Sequence, residues 1–476
     1  MGIRAAFSRP VAYIAAVGFD KGFSIITIPL MAHFLSPDDF GRLDVAVSLI
    51  EFTSLIFTLG LADTVVRFAS MEAARRAQRR CAAELLGAGL VIVALLAVLV
   101  QLAAPWLIAL IGITIDETAV RWGLAGATAT GLIEMPLIWL RFRDQAWRFF
   151  GFVAVRSVVQ ASATIGVLYA GGGAAGVLIA NAVVALTFAS VLLISQVRRT
   201  GLGFSGWALR SVGGYGLPLV GGLLAMFALG NCDRWFLSGT IADSQIAFYG
   251  LAVKLGLATA LLTQPFMLWW NARRIAMLAR PGGLSKIAAA WARGVSLLLM
   301  SGLFVALAGP MFIHAAFPAD YARAVVYLPL VVVISVLNEL CSLSNIGCYV
   351  AAHGLRVLLV NTLGALVALA LYALLIPAYG AFGAIAATIA GHLARLGLFL
   401  LMGQERAPVQ YAWGPFLAAC ALAAALVAVA PPADALVLRG SWALAALVLL
   451  AALLYRSGLA GVSAEALADL RGRMSR

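Results

Sequence analysis

Charged residues are scarce in this chain. They make up 11% of its 476 residues, whereas an ordinary soluble domain contains about 25%. Hydrophobic residues make up 63% of the chain, which is more than a soluble core of this size can bury. Nucleic-acid binding is also excluded, because it would need a soluble basic domain for which the composition leaves no room.

Histidine and cysteine are scarce too. The chain contains four histidines and five cysteines, with none of the HExxH, HxxxH or CxxC spacings through which proteins hold zinc. The cysteines lie in or near apolar segments, where a thiol commonly packs as a small hydrophobic side chain. We therefore expect no metal centre, and we assign no cofactor and no catalytic residue.

Long apolar runs occupy almost the whole sequence. A helix of about 20 residues crosses the ~30 Å hydrocarbon core of a bilayer, and the chain holds about fourteen such runs. It is therefore predicted to be an all-α integral membrane protein with about fourteen transmembrane helices. The predicted crossings lie near residues 11–34, 42–66, 82–104, 121–140, 149–170, 174–195, 211–237, 246–271, 290–314, 322–350, 355–376, 381–402, 412–430 and 441–457.

Arginines occur in every second connection between these crossings. The intervening connections carry acidic residues, such as Asp38 and Asp116, or no charge at all. Short basic connections stay on the cytoplasmic side of a membrane. Both termini are therefore predicted to be cytoplasmic, and Arg273 and Arg274 are assigned to a cytoplasmic connection. The same rule accounts for the net charge of +13, together with contact with anionic lipids.

A weak internal repeat suggests two related halves. Residues 35–49 align without a gap on residues 241–255, an offset of 206 positions, and each segment leads into the next crossing. Two six-helix bundles of the same orientation would produce this pattern. The predicted domains are 1–205 and 206–405, one bundle each in a pseudo-two-fold arrangement. Residues 406–476 are predicted to add two further helices and a cytoplasmic tail.

Three short motifs carry a family resemblance. They are Leu35-Ser36-Pro37 with Asp39, Phe40 and Gly41, then Gly60-Leu61 with Thr64, Val65 and Arg67, and in the second half Asp233-Arg234 with Tyr249-Gly250. On these residues the chain resembles the Wzx-type polysaccharide flippases over roughly residues 8–405. These flippases belong to the superfamily of multidrug, oligosaccharidyl-lipid and polysaccharide exporters. The resemblance implies alternating access between two bundles, and it supplies no universal site residue.

The resemblance also implies a function. It is the movement of undecaprenyl-pyrophosphate-linked oligosaccharide repeat units from the cytoplasmic to the outer leaflet of a bacterial inner membrane, by a protein that is not an enzyme. A polysaccharide polymerase and a chain-length regulator are the implied partners, in lipopolysaccharide, capsule or exopolysaccharide synthesis. The alternatives are a lipid II flippase and a multidrug exporter of the same superfamily. A membrane-embedded glycan polymerase or ligase is disfavoured, because the outer connections are too short to hold catalytic groups.

Polar and ionisable side chains inside the crossings are the candidates for a binding site, because each is costly in hydrocarbon unless it faces a cavity or a partner. Buried cations would neutralise a pyrophosphate, and amides would meet sugar hydroxyls. The predicted substrate-binding residues are Arg156, Lys254, Lys21, Arg395, Gln160, Asn338, Asn345 and His392. Alternatively, some ionisable residues join helices, as Asp233 with Arg234 would. Arg234 lies near a predicted interface, where snorkelling towards water would also explain it.

Acidic residues in the crossings raise the question of ion coupling. The candidates are Glu51, Glu339, Asp20 and Glu134. Glu51 and Glu339 are favoured because polar side chains at helical spacing flank them, among them Asp44 and Ser48 beside Glu51. A carboxylate that binds and releases H⁺ or Na⁺ once per cycle would couple transport to an ion gradient. The alternative is a carboxylate held permanently by a nearby cation.

Pro218 lies among several glycines in the seventh predicted crossing. Proline removes a backbone donor, and small neighbours such as Gly216 let a helix bend. The sequence therefore predicts a hinge at Gly216 and Pro218. Close packing against another helix is the alternative role for these glycines.

Overall fold

A computed structural model describes residues 18, 19, 22, 23, 26–350 and 355–460. The described residues form helices joined by short turns, with no β-strand among them. Asp20 and Lys21, two of the predicted site residues, lie outside the described part of the chain. The predicted fold class, an all-α integral membrane protein, is confirmed.

Two compact units divide the chain between Ala247 and Phe248. The helices of the first unit are α1 (26–34), α2 (Pro37–Thr58), α3 (Leu61–Met71), α4 (Arg75–Ile111), α5 (Glu117–Phe142), α6 (Ala146–Tyr169), α7 (Gly173–Thr200), α8 (Gly206–Ser211), α9 (Leu217–Asn231) and α10 (Asp233–Leu237). In the structure α8, α9 and α10 thus belong to the first compact unit. The predicted domain boundaries at 205 and 405 stay a prediction.

The second unit contains the remaining helices. They are α11 (Asp243–Leu278), which begins in the first unit, α12 (Gly283–Ala316), α13 (Leu328–Ser344), α14 (Ile346–Tyr349), α15 (Leu355–Gln404), α16 (Trp413–Ala428) and α17 (Leu436–Arg456). A 3₁₀ helix, Ala319–Val326, precedes α13 at an angle of 51°.

Apolar helices of the structure coincide with every predicted crossing after the first. Ten helices of the described residues are long and apolar enough to cross a membrane, and the bent pair before and within α13 adds one more. Helix α15 contains two predicted crossings, because Gly380 breaks its 50 residues with φ 54°. Helix α16 is shorter, with 16 residues. Most of the first predicted crossing, 11–34, lies outside the described residues.

The turn before α2 explains the first family motif physically. Ser36 caps the helix, since its hydroxyl accepts a hydrogen bond from the Asp39 amide at 3.1 Å. Pro37 occupies the first turn, where its missing donor costs nothing. Asp38 and Asp39 place negative charge at the positive end of the helix dipole.

Equivalent residues of the internal repeat meet at the starts of α2 and α11. The backbone amide of Ser244 donates to Asp38 Oδ1 at 2.9 Å across 206 positions, which is the offset of the repeat. Gly41 lies close to Ala247, the residue that the repeat aligns with it, because a Cβ built on Gly41 would lie 3.3 Å from the backbone nitrogen of Ala247. The two repeated segments therefore contact each other directly within the first unit.

The predicted hinge region is irregular. Residues Val212–Gly216 form a π-helical turn between α8 and α9, and π-turns are common at functional sites. Gly216 packs against the break between α2 and α3, where Leu59 and Gly60 both have positive φ. Both predicted roles of Gly216, bending and close packing, are thus compatible with its surroundings, and the hinge at Gly216 and Pro218 stays a prediction.

The close approach at Gly41 can be tested by adding one methyl group. In Gly41→Ala the new Cβ would overlap the carbonyl oxygen of Asp243, so α2 and α11 would have to separate, at a cost of about 1–3 kcal/mol. Gly151→Ala in α6 is the control, because nothing lies within 4 Å of a Cβ there. The thermal unfolding temperature of the detergent-solubilised protein should fall for Gly41→Ala and not for Gly151→Ala. Equal unfolding temperatures would show that the two helices can part without cost.

Candidate functional site

A polar cavity of about 510 Å³ lies in the second unit between α11 and α13. Its apolar lining comes mainly from α11, including Ala260, Leu261 and Met267. Its polar and charged lining residues are Gln264, Asn271, Arg274, Glu339, Ser342, Asn345 and Tyr349. Among them, Glu339 and Asn345 were predicted as site residues.

Helical spacing produces this polar lining. On α13 and α14, Glu339, Ser342, Asn345 and Tyr349 follow one another at intervals of three or four residues, which places them on one face. On α11, Gln264 and Asn271 are seven residues apart, and Arg274 follows three residues later. The cavity therefore forms where two polar helix faces meet within a hydrophobic unit.

Arg274 is the buried cation of the cavity wall. Arg274 is only 7% exposed. Its Nη1 donates to Asn345 Oδ1 at 2.6 Å and to the Ser342 carbonyl at 3.4 Å. The guanidinium carbon lies 4.3 Å from the centre of the Tyr349 ring, a cation–π distance. These partners are neutral, so they orient the guanidinium without cancelling its charge.

Arg395 of α15 does not line the cavity, but it contacts Asn338, the neighbour of the lining residue Glu339. Its Nε donates to Asn361 Oδ1 at 3.1 Å, and its Nη1 donates to Asn338 Oδ1 at 3.2 Å and to His392 Nδ1 at 3.0 Å. Because a guanidinium only donates, Nδ1 of His392 must be the acceptor and carries no proton. The structure thus brings together three of the predicted residues, Arg395, His392 and Asn338.

Asn338 connects this buried cation to the cavity. Its Oδ1 accepts from Arg395, while its Nδ2 lies 3.4 Å from Glu339 Oε1. Glu339 lines the cavity and is half-buried. A change in the charge of Glu339 would therefore reach Arg395 through one side-chain amide.

Gly364 makes room for Arg395. A Cβ at position 364 would overlap the Arg395 side chain at Cγ. The sequence analysis missed this glycine, because nothing in its apolar surroundings distinguishes it from a glycine that only lets helices pack closely.

Another buried cation, Arg234 of α10, lies in the first unit. Its Nε donates to Asp44 Oδ2 of α2 at 2.8 Å, and its Nη1 donates to Asp233 Oδ1 at 3.1 Å. All three residues are at most 6% exposed. The neighbouring Trp235 donates from Nε1 to Ser48 Oγ at 2.8 Å, so it fixes α10 on the same face of α2.

Two arginines differ from their expected placement. Snorkelling does not explain Arg234, because it is buried and forms ion pairs with Asp44 and Asp233; the alternative, pairing with Asp233, is confirmed. Arg274 is buried in a cavity wall, whereas its exposed neighbour Arg273 has the location expected of both. The rule that arginines lie at cytoplasmic helix ends applies equally to Arg273 and Arg274, so it could not show which of them is buried. The spacing of Arg274 from Gln264 and Asn271 was the available signal.

The other predicted residues are distributed over several helices. Arg156 and Gln160 of α6, Glu134 of α5 and Lys254 of α11 are half-buried, and Glu51 of α2 is exposed. None of them is among the residues that line the polar cavity of the second unit. Their roles in binding or coupling stay predictions.

Sequence comparison gives the family. A family model described as "Polysaccharide biosynthesis protein" matches residues 10–268, which is more than half of the chain. The chain belongs to this family. The predicted family resemblance is therefore confirmed. No curated protein is a significant match to the sequence.

Solved structures support the fold of this polysaccharide biosynthesis protein. It is similar to the lipid II flippase MurJ in an inward closed conformation, with a TM-score of 0.75 at 12% identity over 94% of this chain and 99% of that one. It is also similar to an inward-facing multidrug resistance MATE family transporter of the MOP superfamily, with a TM-score of 0.61 at 15% identity over 83% and 98%. At these identities the likeness shows the fold alone, which is that of multi-pass flippases and transporters.

The buried ion pair of Arg234 should contribute strongly to stability. Asp44→Asn removes one of its carboxylates and leaves the guanidinium with a weaker partner, at a cost of about 3–5 kcal/mol. Asp39→Asn is the control, because the Asp39–Arg42 pair, 3.5 Å apart, is about half exposed and contributes about 0–1 kcal/mol. Asp44→Asn should lower the thermal unfolding temperature in detergent far more than Asp39→Asn does. Equal effects would mean that Asp44 is not needed to hold Arg234.

Proposed function

We propose that this protein is a flippase for lipid-linked oligosaccharides. It moves undecaprenyl-pyrophosphate-linked repeat units from the cytoplasmic to the outer leaflet of a bacterial inner membrane by alternating access. In this proposal both termini face the cytoplasm and the chain carries out no covalent chemistry. Membership of the polysaccharide biosynthesis family and a fold shared with flippases support the proposal.

The observation that carries the proposal is the buried guanidinium of Arg274 in a cavity lined by amides and hydroxyls. A guanidinium binds phosphate oxygens through parallel donors. Asn271, Gln264 and Ser342 in the same lining provide the donors and acceptors that sugar hydroxyls need. Both halves of a diphosphate-linked sugar therefore find partners within one cavity.

The size and place of the cavity fit the polar end of such a lipid. Its volume, about 510 Å³, is within the usual ~300–1,000 Å³ of small-molecule sites, so it suits a diphosphate and its first sugar rather than the whole molecule. The lining residues of α11 run from Ala260 to Arg274, the half of the helix that leads to the basic connection. Arginine placement predicts that this end faces the cytoplasm, where the substrate is loaded.

The remaining predicted cations extend the proposal. Arg156 and Lys254 are proposed to neutralise the diphosphate at another stage of the transport cycle. Arg395 is proposed to act on the cavity through Asn338, to which it donates a hydrogen bond. A polysaccharide polymerase and a chain-length regulator are the proposed partners, because the flipped repeat unit must be polymerised on the outer side. The pathway would produce the glycan of a lipopolysaccharide, capsule or exopolysaccharide.

A lipid II flippase is the second candidate. The similarity to MurJ, which extends over 94% of this chain, favours it, and lipid II also presents sugars on a polyprenyl diphosphate. The two substrates differ beyond the first sugar. A multidrug exporter is less well supported, because buried cations such as Arg274 repel the cationic drugs that many exporters carry.

Removal of Arg274 tests the binding role. Arg274→Ala should reduce surface glycan at least about tenfold, since a charge-assisted contact to phosphate is worth about 1.5–3 kcal/mol, and lipid-linked repeat units should accumulate on the inner leaflet. Arg274→Lys should retain part of the activity, because the charge survives without the planar fork. Arg273→Ala is the matched control: it removes the same charge one residue away, at an exposed position.

The quantities to measure are surface glycan, lipid-linked intermediates and the amount of protein in the membrane. Normal surface glycan in Arg274→Ala would contradict the proposed site. Accumulated peptidoglycan precursor instead of repeat units would favour the lipid II alternative.

Ion coupling is proposed to act through Glu339. This carboxylate lines the cavity and is linked to Arg395 through Asn338. Protonation of Glu339 would remove a negative charge beside the substrate's diphosphate, and release of the proton would restore it. Glu51, Glu134 and Asp20 are the other proposed coupling residues, and either H⁺ or Na⁺ is compatible with a carboxylate.

Glu339→Gln tests this coupling, because it fixes a neutral group of nearly the same shape. In proteoliposomes the variant should bind substrate with at least wild-type affinity, while an imposed ion gradient should no longer accelerate transport. Glu405→Gln is the control, because Glu405 is exposed and lies 3.5 Å from Arg356 outside the cavity. Gradient-driven transport at the wild-type rate in Glu339→Gln would exclude Glu339 as the coupling residue.

A further inference from the structure

A second, smaller groove lies in the first unit between α6 and α7. Its volume is about 390 Å³, and its lining residues are Phe152, Val191, Ile194, Ser195, Arg198 and Arg199. The two arginines end α7, at the side that arginine placement predicts to be cytoplasmic. The groove takes no part in the polar cavity of the second unit.

One further side chain, Arg148, adds positive charge at the basic end of this groove. Arg148 of α6 and Arg199 of α7 both donate from Nη1 to the same atom, Gln145 Oε1, each at 3.1 Å. The two Nη1 atoms therefore lie within about 6 Å of each other. The shared acceptor is a neutral amide, which orients both guanidinium groups and leaves both charges in place.

Basic residues outnumber acidic ones around this shared acceptor. The end of α5, the turn to α6, the first turn of α6 and the end of α7 contain Arg141, Arg143, Arg148, Arg198 and Arg199, with Asp144 as the single acidic residue of these segments. Like charges at this separation repel one another. An anion bound between them would relieve the repulsion and would receive charge-assisted hydrogen bonds from both sides.

The rest of the groove is apolar and faces outward. Val191 and Ile194 are 50% and 52% exposed, and Phe152 of α6 lines the same groove. Arg198 follows Val191 by seven residues on α7, so apolar and basic groups lie in line along one helix face. A ligand that fits must combine a negative head with a hydrocarbon chain, in that order along the membrane normal.

We propose that this groove binds one anionic glycerophospholipid, with its phosphate between Arg148, Arg198 and Arg199 and an acyl chain against Val191 and Ile194. Basic pockets between transmembrane helices on the cytoplasmic side are suited to anionic head groups. The exposed valine and isoleucine lie beside the bulk bilayer, where such phospholipids are abundant. The bound lipid holds the ends of α6 and α7 together by bridging their arginines.

The test measures lipid binding to the purified, delipidated full-length protein by native mass spectrometry. Phosphatidylglycerol and phosphatidylcholine are added separately, because they share acyl chains and differ in net charge. Wild-type protein should retain one phosphatidylglycerol at least about tenfold more tightly than phosphatidylcholine. The double variant Arg148→Gln/Arg199→Gln should weaken phosphatidylglycerol binding about 30-fold, from roughly 1 kcal/mol for each arginine near an anionic lipid.

A matched double variant separates a site from general surface charge. Arg75→Gln/Arg76→Gln removes the same charge at exposed positions at the start of α4, on the same predicted side of the membrane. Its phosphatidylglycerol affinity should equal that of the wild type. An equal loss in both double variants would show that only net charge attracts the lipid, and the proposed site would be wrong.

A substitution that keeps all charges tests the apolar part. Val191→Trp should fill the groove and weaken phosphatidylglycerol binding, whereas Val183→Trp, at another exposed position of α7, should not. Unchanged binding in Val191→Trp would overturn the proposal. So would one-for-one displacement of phosphatidylglycerol by undecaprenyl diphosphate, because the transport substrate would then be the occupant. Transport activity of these variants is a separate readout, so loss of this lipid site leaves the proposed flippase function intact.

Discussion

Every buried guanidinium must find acceptors for its donors, and the kind of acceptor decides what the cation can do. Arg234 donates to two carboxylates, Asp44 and Asp233. Arg274 and Arg395 donate to side-chain amides, a backbone carbonyl and an imidazole. Carboxylates cancel the charge, whereas neutral acceptors satisfy the hydrogen bonds and leave the charge available to an anion. The ion pair is therefore suited to holding helices together, and the amide-bound cations are suited to binding.

Glycines supply the space that these contacts require. Gly41 lets the starts of α2 and α11 touch, and Gly364 admits the Arg395 side chain. Gly60, with φ 59°, ends the break between α2 and α3 and packs on Gly216. The family motifs that contain Gly41 and Gly60 thus describe a helix cap and two close backbone approaches rather than a chemical site.

The sequence predicted the fold well because the bilayer imposes a strict pattern of length and polarity. The polar face with Glu339 and Asn345 was also predictable, since three- and four-residue spacing survives in any straight helix. The cavity itself was only partly predictable. Arg273 and Arg274 are adjacent arginines at a helix end, and only packing shows that Arg274 alone points inward. The π-helical turn at Val212–Gly216 depends on packing against Leu59 and Gly60, which no local pattern reveals.

The internal repeat shows where the two halves have diverged. The two copies contact each other at aligned positions, since the Ser244 amide donates to Asp38 across the repeat offset. Their charges differ: the alignment pairs Arg42 with Phe248, Asp44 with Gly250 and Ser48 with Lys254. The first copy therefore makes ionic contacts with Arg234 and Asp243, whereas the second copy has Phe248, Gly250 and Lys254 at the equivalent positions. Apart from Asp243 at its start, α11 contains no acidic residue, so this helix adds no carboxylate that would repel the negatively charged substrate proposed for the cavity.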